Sequence, residues 1–131
     1  GTVNASNFYL ENNEDDAIDW TEGWNGELNG AYVLHTADFS TAVEADGVNN
    51  NPTLTNLTAV STIGGTALQF KKESGATITK LHLSGYEENI DMRDNGPLEN
   101  VKIDGETADP NATYNAEKID ISSWTWKDAS L

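Results

Sequence analysis

The chain contains no cysteine, which excludes disulfide staples, thiolate zinc sites and cysteine nucleophiles. Positive charge is nearly as scarce. Seven Lys and Arg stand against 22 Asp and Glu, for a formal net charge of −15, and Arg93 is the lone arginine. Such a surface repels nucleic acid and anionic membranes, which argues against both as partners. No apolar run approaches the roughly 20 residues of a membrane helix. No signal-peptide pattern is present, and the chain opens directly in strand-like sequence, as expected of a mature product or an excised portion. Gly-rich phosphate loops and nucleophile elbows are missing too. A helical period is absent throughout; SGYEENIDMRD (84–94) comes nearest and ends in strand-like residues.

What is present is a repeat. The 131 residues suffice for one domain with a real core, and aromatic and aliphatic residues are spread along all of it. The segments GELNGAYVLHT, TLTNLTAVST, GATITKLHLSG and GPLENVKIDG each read apolar, two residues, apolar, one residue, apolar. Their triplets are Leu28, Ala31, Val33; Leu54, Leu57, Ala59; Ile78, Leu81, Leu83; and Leu98, Val101, Ile103. SNFYLEN, with Phe8 and Leu10, is an earlier copy. The middle positions Phe8, Ala31, Leu57, Leu81 and Val101 are separated by 23, 26, 24 and 20 residues. After each of the first four copies comes a short second strand: AIDW, AVEA, ALQF and NIDM. Period-two alternation puts Ile18, Val43, Leu68 and Ile90 inside, with Trp20, Ala45, Phe70 and Met92 on the same face.

Two short strands per unit at a period near 24 imply a coil that adds one rung at a time, each pairing in parallel with the next. The expectation is an all-β, right-handed parallel β-helix of about five rungs, the hand following the parallel-crossover rule. A β-sandwich is the alternative, but no Asn-Gly pair falls cleanly between two alternating runs. The chain reads as one domain, 1–131, with rungs over 1–105. An insertion, a last strand and a cap fill 106–131, with Trp124 and Trp126 covering the end. The predicted outward columns are Tyr9, Tyr32, Thr58, His82 and Lys102 on the first strand, and Asp19, Glu44, Gln69 and Asp91 on the second. An Asn-rich column of Asn7, Asn29 or Gly30, Asn56 and Asn100 precedes the first strand, broken by Lys80; stacked amides there would bond along the coil.

The stretches DDAIDWTEGWNG, STAVEADGVNNNPTLTNLTAVS and GTALQFKKESGATITKLHLSGY resemble the last rungs of a group of secreted bacterial proteins from marine and related bacteria. These are right-handed parallel β-helices with a pectate-lyase-like fold, some of them labelled as transporters. The resemblance covers most of residues 13–105, and its Asp-Trp-Thr-x-Gly-Trp and Glu-Ala-Asp-x-x-x-x-x-Pro pieces are its more specific parts. It implies a secreted or cell-surface bacterial protein and a C-terminal portion of a longer chain. It implies fold more than activity.

The acidic cluster Asp15, Asp16, Asp19, Glu44 and Asp46 falls on adjacent rungs, and so many carboxylates invite a hard cation, calcium first. The alternative is a solvated acidic face. Arg93, Lys71, Asp46 and Asp94 form the nearest thing to a lyase-like set, a base beside carboxylates; the plainer reading is an inter-rung charge ladder. His35 and His82 are predicted outward and not in one column, so no zinc site is expected. Tyr9, Tyr32 and Trp24 are candidate stacking surfaces for sugar rings. Two functions remain open: a non-catalytic extracellular scaffold or adhesion module that binds glycan and is stabilised by calcium, or part of a lyase-like enzyme acting on acidic polysaccharide. The uncovered first rung, with Phe8 and Leu10, is the expected place for self-association or a partner chain.

Overall fold

The computed structural model describes residues 2–124 and lays the repeat out in two ladders. The first contains β1 (Ala5–Glu11), β3 (Glu27–His35), β5 (Thr53–Ser61), β7 (Ala76–Ser84) and β9 (Val101–Ile103), all parallel and in that spatial order. A two-residue strand, β10 (Glu106–Thr107), is antiparallel to β9. The second contains β2 (Asp16–Trp20), β4 (Thr41–Ala45), β6 (Thr66–Lys71) and β8 (Glu88–Arg93). From β1 to β7 no strand pairs with its successor; each pairs with the strand two further on, which is the topology of a coil. The chain is a right-handed parallel β-helix of about four turns, with β9 opening a fifth.

The uneven spacing of the apolar triplet has a backbone cause. In β1, β3, β5 and β7 one residue adopts the left-handed conformation: Asn7 (φ 59), Gly30 (φ 84), Asn56 (φ 61) and Lys80 (φ 55). The ladder skips these positions, since Ser6 pairs with Asn29 and Phe8 with Ala31, while Thr55 pairs with Thr79 and Leu57 with Leu81. Each such residue is an extra one that turns the strand and resets its alternation. Leu28, Leu54 and Ile78 before the corner, and Ala31, Leu57 and Leu81 after it, therefore all point inward and are buried. Asn and Gly tolerate this conformation better than other residues. Lys80 is the exception, and it continues the corner rather than breaking it.

The predicted internal stacks Ile18–Val43–Leu68–Ile90 and Trp20–Ala45–Phe70–Met92 are present as register pairs. The last rung needs correction. The spacing set Val101 beside Leu81, Ile103 beside Leu83 and Lys102 beside His82. In the structure Val101 pairs with Ala76, Lys102 with Thr77 and Ile103 with Ile78. Leu98 imitates the first apolar residue of a triplet, but it follows Pro97 and lies in a single 3-10 turn, Leu98–Asn100, outside any strand. Asn100 likewise belongs to that turn and not to the corner column, and its side chain donates to the Glu73 carbonyl at 2.8 Å.

The two ends differ. The C-terminal edge is sealed by antiparallel pieces, which stop a parallel stack. Strand β10 covers β9, and Ala108 donates to the Val101 carbonyl at 2.9 Å. The free second half of β7 is covered by residues 114–116: Leu83 N donates to the Tyr114 carbonyl (2.8 Å) and Ala116 N to the Leu81 carbonyl (3.1 Å). Beyond Ala116 the chain folds back as a strap over the outer face. Ile119 N donates to Thr58 Oγ1 at 3.0 Å and the Lys118 ammonium sits 5.5 Å from the Tyr32 ring centre. The outward-facing Thr58 and Tyr32 are consequently buried. Trp124 was expected over the end of the coil and instead lies along its side; Trp126 lies outside the described residues. The N-terminal end stays open, with a hollow of about 290 Å³ lined by Val3, Phe8, Leu10, Ile18, Trp24 and Leu28. Phe8 is 43% exposed and Val3 68%.

Candidate functional site

The outer face of the second ladder carries most of the charged candidates, because alternation sends Asp19, Glu44, Gln69, Asp91, Lys71 and Arg93 outward on adjacent turns, and Asp16, at the start of β2, meets Glu44. Asp19 pairs in register with Glu44, Gln69 with Asp91, and Lys71 with Arg93. Asp16 and Glu44 share a carboxyl–carboxyl hydrogen bond, and Thr41 Oγ1 donates to Asp16 Oδ1 at 2.5 Å. The Lys71 ammonium reaches Glu44 Oε1 at 2.5 Å. Arg93 Nε donates to Asp91 Oδ2 at 2.7 Å, and Gln69 Nε2 donates to the same oxygen at 2.9 Å. Lys72, next along, lies 3.4 Å from Asp46.

The protonation states follow from these contacts. The hydrogen bond to Asp16 and then burial push the Glu44 carboxyl above its usual range, against the pull of Lys71. Burial works to raise Asp16 as well, but hydrogen bonds from Glu44, Thr41 and Ser40 outweigh it and hold Asp16 low. Glu44 is therefore the first of the two carboxyls to take up a proton as the pH falls. Burial and the nearby Asp16 and Asp15 charges raise Asp19. Lys71 is raised by its bond to Glu44, and Arg93 by its bond to Asp91. Both therefore stay protonated at neutral pH, the opposite of what a proton-abstracting base requires.

Of the five proposed metal ligands, Asp16, Asp19 and Glu44 do share one face. Asp15 serves through its carbonyl, which accepts from Ser40 N at 2.8 Å, and Asp46 is engaged by Lys72. Lys71 lies among the carboxylates that a dication would need. Among the described residues no group of three or more His, Asp or Glu is arranged to hold a metal ion. Of the lyase-like set, Asp94 sits apart, in a left-handed turn position (φ 55) beside a hollow of about 420 Å³ that Gly47, Val48 and Lys72 also line.

The aromatic candidates are not brought together. Tyr9 and Tyr32 stack with ring centres 5.6 Å apart, but the strap covers Tyr32. Burial and the hydrogen bond to Glu11 push the Tyr9 phenol up to about 12. Trp24 belongs to the open N-terminal end: its indole N–H donates to the Val3 carbonyl at 3.0 Å and its ring lies 5.4 Å from Trp20.

His35 corrects a further expectation. Predicted outward, it is fully buried, stacked at 3.7 Å on Phe39, with Nδ1 3.3 Å from the Tyr86 hydroxyl and, among the described residues, no partner on Nε2. It ends β3 in step with Ala31 and Val33, so the reset alternation carries it inside. Burial pushes its pKa below 6.5. The unfolded chain therefore takes up the proton first. Stability from the neutral imidazole is complete above about pH 6.5 and drains away as the pH falls toward the folded value, by at most about 1.4 kcal/mol per pH unit. Thermal melts between pH 7 and 5 should fall more steeply for the wild type than for His35→Leu. Parallel slopes would show that His35 is not held neutral.

Sequence reasoning missed a second polar surface. The corner residues Asn7, Asn56 and Lys80 form one wall of a groove of about 530 Å³, and Glu117–Asp120 and Trp124 of the strap form the other. The signal was present in the triplet spacing, which marks the corner, but nothing local announces that the chain returns to face it. No helix among the described residues is long and apolar enough to cross a membrane. No curated protein and no solved structure matches the chain. The model of the pectate-lyase-like β-helix domain matches residues 1–126, in keeping with the coil, its corners and its stacked interior, and the chain belongs to that family.

Proposed function

We propose that this protein is a non-catalytic extracellular β-helix that binds glycan, a scaffold or adhesion module rather than a lyase. The observation that supports it most is the self-neutralised charged face. Lys71, Lys72 and Arg93 each contact a carboxylate, and the bonds to Lys71 and Arg93 raise their pKa values. Membership of a pectate-lyase-like family supports carbohydrate as the ligand class. Calcium would have to displace the Lys71 ammonium from Glu44, so the acidic cluster as it stands is not a ready cation site.

The alternative, a lyase acting on acidic glycans, rests on the presence of Lys71, Arg93 and several carboxylates on one face. Polyuronates incubated with the protein separate the two. The scaffold reading expects retention of the polymer with no rise in unsaturated or reducing ends, with or without added calcium. Turnover that disappears in both Lys71→Gln and Arg93→Gln would establish the enzyme instead.

A further inference from the structure

The groove between the coil's corner and the strap brings together two lysines that, among the described residues, pair with no carboxylate. Of the described basic side chains, Lys71, Lys72 and Arg93 contact carboxylates, and Lys102 donates to Thr107 Oγ1 at 2.8 Å. The Lys80 ammonium has no hydrogen-bond or ion-pair partner, and the Lys118 ammonium has only the Tyr32 ring face. Lys102, although without a carboxylate, is hydrogen-bonded; Lys80 and Lys118 are the described ammoniums left with neither a hydrogen bond nor a carboxylate in a chain of net charge −15, and both line this groove.

Lys80 is also conformationally out of place. It holds a left-handed position (φ 55) that the first three turns give to Asn7, Gly30 and Asn56. A lysine has no side-chain means of easing that conformation, so its presence there costs stability that Asn or Gly would spare. The strain is local to the residue that aims a cation at the groove. The Asn7 and Asn56 amides on the same wall make no hydrogen bond among the described residues, although stacked amides were expected to bond along the coil. Gly30, at the second turn, adds no side chain between them. Corner residues of successive turns are about 4.8 Å apart, so the wall from the first turn to the fourth is about 14 Å long, enough for a short oligosaccharide.

We infer that this corner groove binds a uronate-bearing oligosaccharide, with Lys80 and Lys118 holding its carboxylates, the Asn7 and Asn56 amides its hydroxyls, and Trp124 flanking a ring. Glu117 and Asp120 on the strap supply acceptors for further hydroxyls. Alternating ammonium, amide and carboxylate groups fit a polyhydroxylated chain carrying separated negative charges. They do not fit a nucleic acid, which the overall charge repels. The inference rests on the glycan reading above and names its site and ligand class.

Lys80→Asn is the decisive variant, because asparagine already occupies the equivalent corner at Asn7 and Asn56. It removes the cation and relieves the backbone at once. Calorimetric titration with a trigalacturonate, and with its carboxyl-reduced neutral counterpart, would be run on wild type, Lys80→Asn and Lys102→Gln. The expected result is at least a tenfold loss of uronate affinity in Lys80→Asn, the scale of one charge-assisted hydrogen bond. Its melting temperature should rise. Lys102→Gln, which changes the net charge equally, should bind within twofold of wild type. Uronate binding by Lys80→Asn within twofold of wild type would overturn the groove while leaving the glycan reading standing. If the wild type binds neither this pair nor any member of a broad glycan array, the glycan reading itself falls, and the groove with it.

Discussion

Leu81→Asp should abolish cooperative folding at neutral pH. Leu81 is 1% exposed in the middle of the coil, in register with Leu57 of the turn before. Its backbone carbonyl is taken by Ala116. A carboxylate there has no counter-charge among the described residues, whose basic side chains all sit on outer surfaces. Keeping it neutral at pH 7 costs about 4 kcal/mol from the distance to its ordinary pKa. The lost leucine burial adds about 1.5–3 kcal/mol. Together these rival the whole stability of many domains of this size. Leu81→Ala supplies the graded control, expected to cost about 2–5 kcal/mol and to leave a folded protein. Urea titrations followed by circular dichroism would check both. A sharp transition with wild-type midpoint for Leu81→Asp would mean that this column does not face the interior.

Phe70→Ala should be the costliest of the cavity-forming changes. Phe70 is the largest of the fully buried side chains and lies between Ala45 and Met92 in register, with Trp20 edge-on at 6.3 Å. Small Ala45 leaves the space that the phenyl ring fills, so truncation opens a void that rigid neighbouring rungs cannot close. The expected loss is about 3–5 kcal/mol. Phe70→Leu, which keeps most of the volume, should cost far less. Equal losses for the two variants would show that the ring, rather than the filled space, matters at this position.

The two ladders were legible because stacking like on like repeats a pattern. The triplet Leu54, Leu57, Ala59 and its copies display the inward set directly, and the short second strands gave a register that holds across all four turns. The failures occur where the repeat stops. Leu98 preserved the apolar spacing after Pro97 had already taken the chain out of the strand, and the final rung slipped as a result. His35 was expected outside although alternation from Ala31 and Val33 carries it inside. The candidate sites fared worse for a related reason. Their pairing depends on which rotamers meet: Lys71 reaches back to Glu44 rather than along to its register partner Arg93. The corner groove depends on a return of the chain from Ala116 toward Asn7, a contact between positions over a hundred residues apart that no local pattern encodes.

That return changes the physics of the coil. A bare solenoid is a linear array in which each turn interacts only with its neighbours, so its terminal turns fray independently and its unfolding can broaden. Here the strap leaves the fourth turn, bonds Thr58 of the third through Ile119 and covers Tyr32 of the second with Lys118. Turns that are not neighbours in the stack acquire a common partner. The third and fourth turns cannot open without losing contacts that also hold the strap, and loosening the strap exposes Thr58 and Tyr32 together. The array is closed into a circuit, and melting of one turn becomes an event that the other turns resist.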